Sequence, residues 1–87
     1  MSRDEPSYLP FEQAVAIVAA IQEEEHIHEL GRRIFTVYDR NDRELCWFDA
    51  METIATVAPG EANPKKEEIQ PKVEEFILHH IPAWVLD

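Results

Sequence analysis

Cysteine is almost absent from this chain, because Cys46 is the only one. An intramolecular disulfide is therefore excluded, and the apolar neighbours of Cys46 predict a buried thiol rather than a reactive one. Proteins without disulfides suit a reducing compartment, and the residues from Met1 to Pro6 lack the basic and apolar regions of a secretion signal. We therefore expect a cytoplasmic location.

Glycine and serine are also scarce. The two glycines, Gly31 and Gly60, are too far apart to build a phosphate-binding loop. The two serines, Ser2 and Ser7, lie near the N-terminus and have no recognisable histidine and acid partners. The sequence thus contains no catalytic constellation and no cofactor motif. We expect a protein that is not an enzyme and that binds no cofactor.

The chain also has few basic residues and no long apolar run. The longest apolar run, Ala14–Ile21, is far shorter than the roughly 20 residues that a membrane-spanning helix needs, so we expect no membrane partner. The 18 acidic and 8 basic residues give a formal charge of −10. This charge repels nucleic-acid phosphates and attracts basic protein surfaces. Direct nucleic-acid binding is disfavoured, and a protein partner with a basic surface is favoured.

The composition that remains is that of one small folded domain. The chain has 87 residues, of which 45% are hydrophobic, enough for one core. Residues 1–9 show no periodicity, so we expect a flexible N-terminal arm over 1–9 and a single α+β domain over 10–87. Because a core of this size leaves a narrow stability margin, association into a homodimer is compatible with the sequence.

An amphipathic helix is predicted at the start of the domain. Pro10 suits the first helical position, and Gly31 suits a helix stop. Between them, apolar residues recur at spacings of three and four, which is typical of a helix, at Phe11, Ala14, Val15, Val18 and Ile21. We expect this helix to run to about Leu30.

A two-stranded antiparallel hairpin is predicted next. Arg33–Asp39 and Glu44–Phe48 are rich in β-branched and aromatic residues and are joined by a polar turn. Because both faces of the hairpin carry apolar side chains, we expect both faces to be covered.

Two further helices complete the predicted fold. Asp49 followed by Glu52 resembles a capping box and favours a short helix, although the β-branched residues over 53–57 leave a third strand as the alternative. A C-terminal helix is predicted to end before Pro82. It either starts at Asn63–Pro64 and is kinked at Pro71, or starts near Pro71. The apolar residues beyond Pro82 should dock on other residues.

A cluster of four glutamates, Glu23, Glu24, Glu25 and Glu29, is the main candidate site. At the carboxyl end of the predicted helix these carboxylates would face the negative end of the helix dipole, which is unfavourable. We therefore expect them to meet positive charge on a partner, with Trp84 as an apolar anchor. The competing interpretations are a solvated face offset by Arg32 and Arg33, and a Trp84 that only closes the protein's own core.

The sequence therefore predicts a small acidic protein-interaction module that binds, and could inhibit or regulate, a partner with a basic face. Nucleic-acid mimicry would be a special case in which an ordered array of carboxylates replaces phosphates. A structural subunit of an oligomer is another alternative. The last alternative is a metal-binding protein, whose ligands would come from His26, His28, Glu25 and either His79 or His80. Because this ligand set is incomplete, we assign no metal ligand.

Overall fold

The computed structural model describes residues 7–61 and 63–86. It confirms the α+β class and the predicted order of helix, antiparallel hairpin, short helix and C-terminal helix, with a third strand in the sheet. The elements, in chain order, are α1 (Phe11–Ile17), β1 (Val18–Glu25), β2 (Arg33–Asp39), β3 (Glu44–Asp49), α2 (Ala50–Val57), α3 (Lys66–Leu78) and a 3₁₀ helix (Ala83–Leu86).

The three strands form one antiparallel sheet in the order β1-β2-β3. The predicted hairpin is confirmed: Phe35 lies opposite Phe48, and Val37 opposite Cys46. The connecting turn is stabilised by Asp39, whose Oδ1 accepts hydrogen bonds from the backbone N–H groups of Asn41 (2.8 Å) and Arg43 (2.9 Å). The local signals of strand and turn residues therefore place this hairpin correctly.

The predicted long first helix is wrong beyond Ile17. Val18–Glu25 is the third strand of the sheet, and Gly31 lies in the loop after it with a φ of 84° instead of ending a helix. A two-stranded hairpin alone is marginal in water, whereas a third strand adds a row of backbone hydrogen bonds and packs apolar residues onto β2. The β-branched Val18 and Ile21 also favour a strand over a helix.

The segment after Phe48 is the short helix α2 and not a strand, as the capping signal favours. The Oδ1 atom of Asp49 accepts a hydrogen bond of 3.0 Å from the backbone N–H of Glu52. The β-branched Thr53 and Thr56 are accommodated because each hydroxyl donates to a backbone carbonyl four residues earlier, at 2.8 Å. Local capping therefore outweighs the strand propensity of this segment.

Helix α3 begins at Lys66, close to the predicted start at Asn63–Pro64, and it contains Pro71 in its interior. A start near Pro71 is therefore wrong. The proline removes one backbone donor, but its ring is exposed while Ile69, Val73 and Ile77 are buried as a stripe. Within 7–61 and 63–86, neither this 13-residue helix nor any other is long and apolar enough to cross a membrane.

The core lies between one face of the sheet and the helices. It includes Phe35 and Val37 from β2 together with the apolar stripe of α3. Leu9 also belongs to it, being 6% exposed and donating its backbone N–H to the carbonyl of Ile81 at 2.8 Å. The packed chain thus begins before Pro10. A flexible arm stays a prediction for residues 1–6, which lie outside the described residues.

Candidate partner-binding surfaces

The four glutamates of the predicted site follow a strand and not a helix. Glu23, Glu24 and Glu25 end β1, and Glu29 lies in the loop between β1 and β2. Strand dipoles largely cancel, so these carboxylates face no opposing field of the kind a helix end produces. The electrostatic reason for expecting positive charge from another molecule is therefore removed.

Two of these glutamates form ion pairs within the chain. Glu23 lies 3.1 Å from the Nε atom of Arg33 and 3.3 Å from the Nζ atom of Lys66. Glu29 lies 2.7 Å from the Nη1 atom of Arg32, which lowers the pKa of Glu29 through this hydrogen bond and its charge. Arginines of the same chain thus satisfy these two carboxylates.

The other two accept hydrogen bonds from uncharged groups. Both carboxylate oxygens of Glu24 lie within reach of the Tyr38 hydroxyl, at 2.9 and 2.7 Å, and this bond raises the pKa of Tyr38. Glu25 accepts a hydrogen bond of 3.1 Å from the backbone N–H of Gly31. Partner binding by the four glutamates stays a prediction, now without its original reason.

The second face of the sheet is covered by side chains of the sheet and of the β1–β2 loop. Strand alternation places Ile34 and Thr36 opposite Phe35 and Val37, outside the core cluster. Both are nevertheless buried, at 7% and 1% exposure. Among the described residues, side chains of the sheet itself and of the β1–β2 loop lie around them. We call this surface the outer face.

A small cavity, the Thr36 cavity, opens on the outer face. Its volume is about 160 Å³. It is lined by Glu24, Glu25, His26, Ile27, His28, Ile34, Thr36, Glu44 and Trp47. A side-chain hydrogen bond with Thr36 partly opposes the rise in the pKa of Tyr38, although within the described residues the Oγ1 atom of Thr36 forms no hydrogen bond of standard length and angle. The Thr36 hydroxyl is therefore a buried polar group whose hydrogen bonding is weak.

Arg32 lies at the edge of this cavity and organises its surroundings. Its guanidinium carbon is 5.1 Å from the centre of a Trp47 ring, and its Nε atom donates to the Oδ2 atom of Asp49 at 3.0 Å. The pKa of Asp49 is lowered first by the backbone N–H of Glu52 and then by this arginine. Arg32 is thus tied to acids of its own chain, as the solvated-face interpretation anticipated.

Trp84, the predicted anchor, lies at the edge of a wide groove that we call the Trp84 groove. The flanking Ala83 and Val85 pack on the core, as predicted for the C-terminal segment, but Trp84 itself is 60% exposed. The groove has a volume of about 430 Å³. It is lined by Ser7, Tyr8, Phe48, Asp49, Glu52, Thr53, Thr56, Phe76, His80, Pro82 and Trp84, with no lysine or arginine.

The carboxylates of the Trp84 groove differ in their availability. Asp49 is held by Arg32 and by the cap of α2. The carboxylate of Glu52 forms no ion pair within the described part of the chain and is exposed at the groove. The groove thus offers exposed aromatic surface beside one uncommitted negative charge.

A third and larger cavity lies between α2 and α3. It has a volume of about 490 Å³ and an apolar floor that includes Ile54, Ile69 and Val73. Its only opposite charges close to one another, Glu23 and Lys66, already pair at 3.3 Å. Nothing in this lining is left unsatisfied in a way that indicates a ligand.

The histidines of the metal-binding alternative lie in aromatic surroundings. The His26 ring packs edge-on against Trp47, with ring centres 5.2 Å apart. The His79 ring stacks on Phe11 and the His80 ring on Phe76, with ring centres 4.4 and 4.2 Å apart. In the described ranges, no three histidine, cysteine or acidic side chains are grouped so that they could hold a metal ion.

Comparison of this chain with protein-family models, with curated proteins and with solved structures finds no match. A functional proposal for this chain therefore rests on its own residues and their geometry.

Proposed function

We propose that this protein is a non-enzymatic protein-interaction module, and that its Trp84 groove binds a basic segment of a partner protein. The observation that carries the proposal is the composition of the groove. It combines exposed aromatic surface on Trp84 and Tyr8, which are 60% and 45% exposed, with the acidic residues Asp49 and Glu52 and with no lysine or arginine.

Aromatic anchoring explains how such a groove would hold a partner. Tryptophan is enriched among the residues that dominate binding energy, because it buries a large area on few rotatable bonds. A lysine or arginine placed over its ring would also gain a cation–π contact of about 0.5–1 kcal/mol at an exposed site. The flanking Ala83 and Val85 pack on the core and hold the backbone at Trp84 in place.

Charge favours a basic partner over a neutral or acidic one. The formal charge of −10 attracts positively charged surfaces before contact, and the Glu52 carboxylate at the groove provides a local pairing site. A partner held in this way would have part of its basic face covered, which is sufficient for inhibition or regulation. The mechanism requires no chemistry beyond shape and charge.

Nucleic-acid mimicry gains no support from the arrangement of the glutamates. A mimic of duplex phosphates needs an extended, ordered array of uncommitted carboxylates. Strand alternation instead places Glu24 on the face opposite to Glu23 and Glu25. All three also have partners within the chain.

A subunit of an oligomer is a second candidate, favoured by the open edge of β1. Within residues 7–61 and 63–86, β1 pairs with β2 alone, and its first residues, Val18–Ile21, are apolar. Light scattering after size exclusion would test this candidate. Ala19→Lys, which adds a charge to the exposed edge, should convert any dimer to monomer, and an unchanged dimer would exclude this edge.

Affinity capture with matched baits tests the main proposal. Wild-type protein and the variants Trp84→Ala, Glu52→Gln and Glu67→Gln would be used on extract of the native host. Glu67→Gln changes the net charge by the same amount as Glu52→Gln but lies outside the groove. We expect the true partner to be retained by wild type and Glu67→Gln, weakened by Glu52→Gln and lost with Trp84→Ala.

The affinity for the purified partner should then fall as salt concentration rises, because charge contributes to the contact. A partner that binds Trp84→Ala as tightly as wild type would contradict the proposal. Changing all four glutamates of the original cluster to glutamine tests in the same assay whether they contribute.

A further inference from the structure

We propose that the open edge of β1 binds an extended segment of a partner protein as an added antiparallel strand, with basic residues at the start of that segment and apolar residues after them. The surface shares no lining residue with the Trp84 groove, so the inference goes beyond the proposed function. In this mode of binding the main chain supplies the hydrogen bonds, and the side chains select the partner.

A groove runs along this edge, and we call it the β1 groove. Its volume is about 490 Å³, within the range of about 300–1,000 Å³ that ligand sites occupy. It is lined by Val15, Val18, Ala19, Ala20, Ile21, Gln22, Glu74 and Leu78. Because successive side chains of a strand point to opposite faces, five consecutive residues of β1 in the lining include both faces. The groove therefore follows the backbone edge of the strand.

The backbone of this edge is open to pairing. In the described part of the chain, β1 pairs with β2 alone. An edge strand presents a row of unpaired N–H and C=O groups that can pair with another strand. The register shifts between Val18 and Ala20, and such a bulge interrupts regular pairing. The regular edge therefore covers residues 20–25, which suits a partner strand of about six residues.

The two ends of the regular edge differ in character. Ala20 and Ile21 form an apolar end, and Glu24 and Glu25 form an acidic end. Among residues 7–61 and 63–86, these two carboxylates accept hydrogen bonds only from uncharged donors, so both keep their negative charge. Opposite charges that face each other across two strands stabilise the pairing, and like charges destabilise it. The acidic end therefore selects basic residues in the partner.

Strand geometry sets the order of residues in the partner. Antiparallel pairing is the more stable arrangement per residue, and it places the first residues of the partner beside the acidic end. Ile21 lies opposite the buried Val37 and points to the face that the helices cover. A partner residue beside Ile21 points to the same face and enters the β1 groove next to Leu78. We expect that partner residue to be apolar.

Glu74 adds a negative charge to the wall of the β1 groove. Its carboxylate accepts a hydrogen bond of 2.9 Å from the side-chain amide of Gln70 and, over the described ranges, forms no ion pair. The lining of the groove contains no lysine, arginine or histidine. The groove thus accepts apolar or basic side chains and disfavours acidic ones.

A second copy of this chain fits the edge less well. If two β1 strands paired antiparallel over residues 20–25, Ala20 of each copy would lie opposite Glu25 of the other. The same pairing places each apolar end beside an acidic end. The two chains also repel each other, because each has a formal charge of −10. A partner segment with basic residues meets neither obstacle.

A designed hexapeptide and backbone-amide nuclear magnetic resonance provide the test. The probe is acetyl-Arg-Lys-Thr-Val-Ile-Val-amide, and the controls are the reversed sequence and a version with glutamate in place of both basic residues. We expect the probe to shift the amide signals of residues 20–25 and to slow hydrogen exchange at the open edge. Each control should bind about tenfold more weakly or less. Equal binding of the reversed peptide would overturn the proposed order. A probe that shifts the Trp84 indole signal but no β1 amide would overturn the edge and leave the Trp84 groove as the only site for it.

Methylation of the probe's backbone nitrogens tests pairing through the main chain. In an antiparallel pair, alternate residues of a strand direct their N–H and C=O groups towards the neighbouring strand. One peptide would be methylated at its odd-numbered residues and another at its even-numbered residues. We expect one of them to lose affinity about tenfold or more and the other to retain it. Equal effects of the two methylated peptides would overturn strand addition.

Two variants test the β1 groove. Val15 is 47% exposed, so Val15→Lys places a positive charge in the groove without burying it and should weaken probe binding about tenfold or more. Glu74→Gln removes the charge of the wall and should weaken binding about twofold to fivefold. Met51→Lys and Glu67→Gln change the net charge by the same amounts outside the groove and should leave binding unchanged. Unchanged binding in both groove variants would overturn the proposal.

Light scattering after size exclusion tests the competing occupant. We expect the protein alone to be a monomer and its complex with the probe to contain one copy of each. A dimer whose β1 amides are already protected without the probe, and which Val15→Lys converts to a monomer, would assign the edge to a second copy and overturn the proposal.

Discussion

Replacing threonine by valine at two buried positions should change stability in opposite directions. Thr36 and Thr53 are 1% and 4% exposed. The Thr53 hydroxyl donates to the backbone carbonyl of Asp49 at 2.8 Å, whereas the Thr36 hydroxyl forms no hydrogen bond of standard geometry in the described chain. Each substitution replaces a hydroxyl with a methyl group of nearly the same size. Only Thr53→Val removes a hydrogen bond of standard geometry.

The expected magnitudes follow from hydrogen-bond energetics. Burying a hydroxyl without a partner costs about 1–3 kcal/mol, so Thr36→Val should raise the free energy of unfolding by about 1 kcal/mol or more. Valine also suits a central strand. Thr53→Val loses a made hydrogen bond and should lower the free energy of unfolding by about 0.5–1.5 kcal/mol.

Urea denaturation monitored by circular dichroism would measure both changes. In thermal melts the Tm should shift by about 4–8 °C per kcal/mol for a domain of this size, upward for Thr36→Val and downward for Thr53→Val. Thr53→Val is the matched control. If Thr36→Val destabilised the protein as much as Thr53→Val does, the Thr36 hydroxyl would have a partner, and the reasoning about an orphan group would be refuted.

Three further results are expected. Burial raises the pKa of Cys46 from 9.0 to about 11. At about pH 8 the folded protein should therefore react with a disulfide reagent about a hundredfold more slowly than the urea-unfolded chain. Equal rates would contradict the burial of Cys46. Glu24→Gln should move the raised pKa of Tyr38 down towards 10.0 in a tyrosine titration, and no movement would refute the hydrogen bond. The folded-state pKa of Asp49 lies below its usual value of 3.8. The stability that the ionised Asp49 contributes is therefore present above pH 3.8 and is lost as pH falls through the lowered pKa. Asp49→Asn should flatten this part of the acid-unfolding profile, and an unchanged profile would contradict the role of Asp49.

The hairpin and the short helix could be predicted because their signals are local. The turn after Asp39 and the cap formed by Asp49 each depend on residues within a few positions. The strand β1 could not be predicted in the same way. The apolar spacing of three between Val18 and Ile21 fits a helix, and it fits the strand only because the register shifts between Val18 and Ala20. The strand is selected by pairing with β2, which is distant in sequence.

The surroundings of the candidate site residues could also be predicted only in part. Trp84 stood out because a large apolar side chain near the end of the chain must either be buried or bind something. The setting of the glutamates was predicted wrongly, because Glu23–Glu25 end a strand and not a helix. Thr36 gave no signal of its own, since a threonine in an apolar strand is ordinary and only the three-dimensional surroundings show that its hydroxyl lacks a partner.

Photo-crosslinking tests the proposed binding groove most directly. A photoreactive phenylalanine analogue would be placed at Thr56, which is exposed and lines the Trp84 groove, and in a matched variant at Met51, which is exposed on the same helix but lines a different cavity. Irradiation in the native host should yield an adduct at position 56, absent at position 51, whose partner peptide is rich in lysine and arginine. Equal adducts at both positions, or a peptide at position 56 without basic residues, would contradict a groove that binds a basic segment.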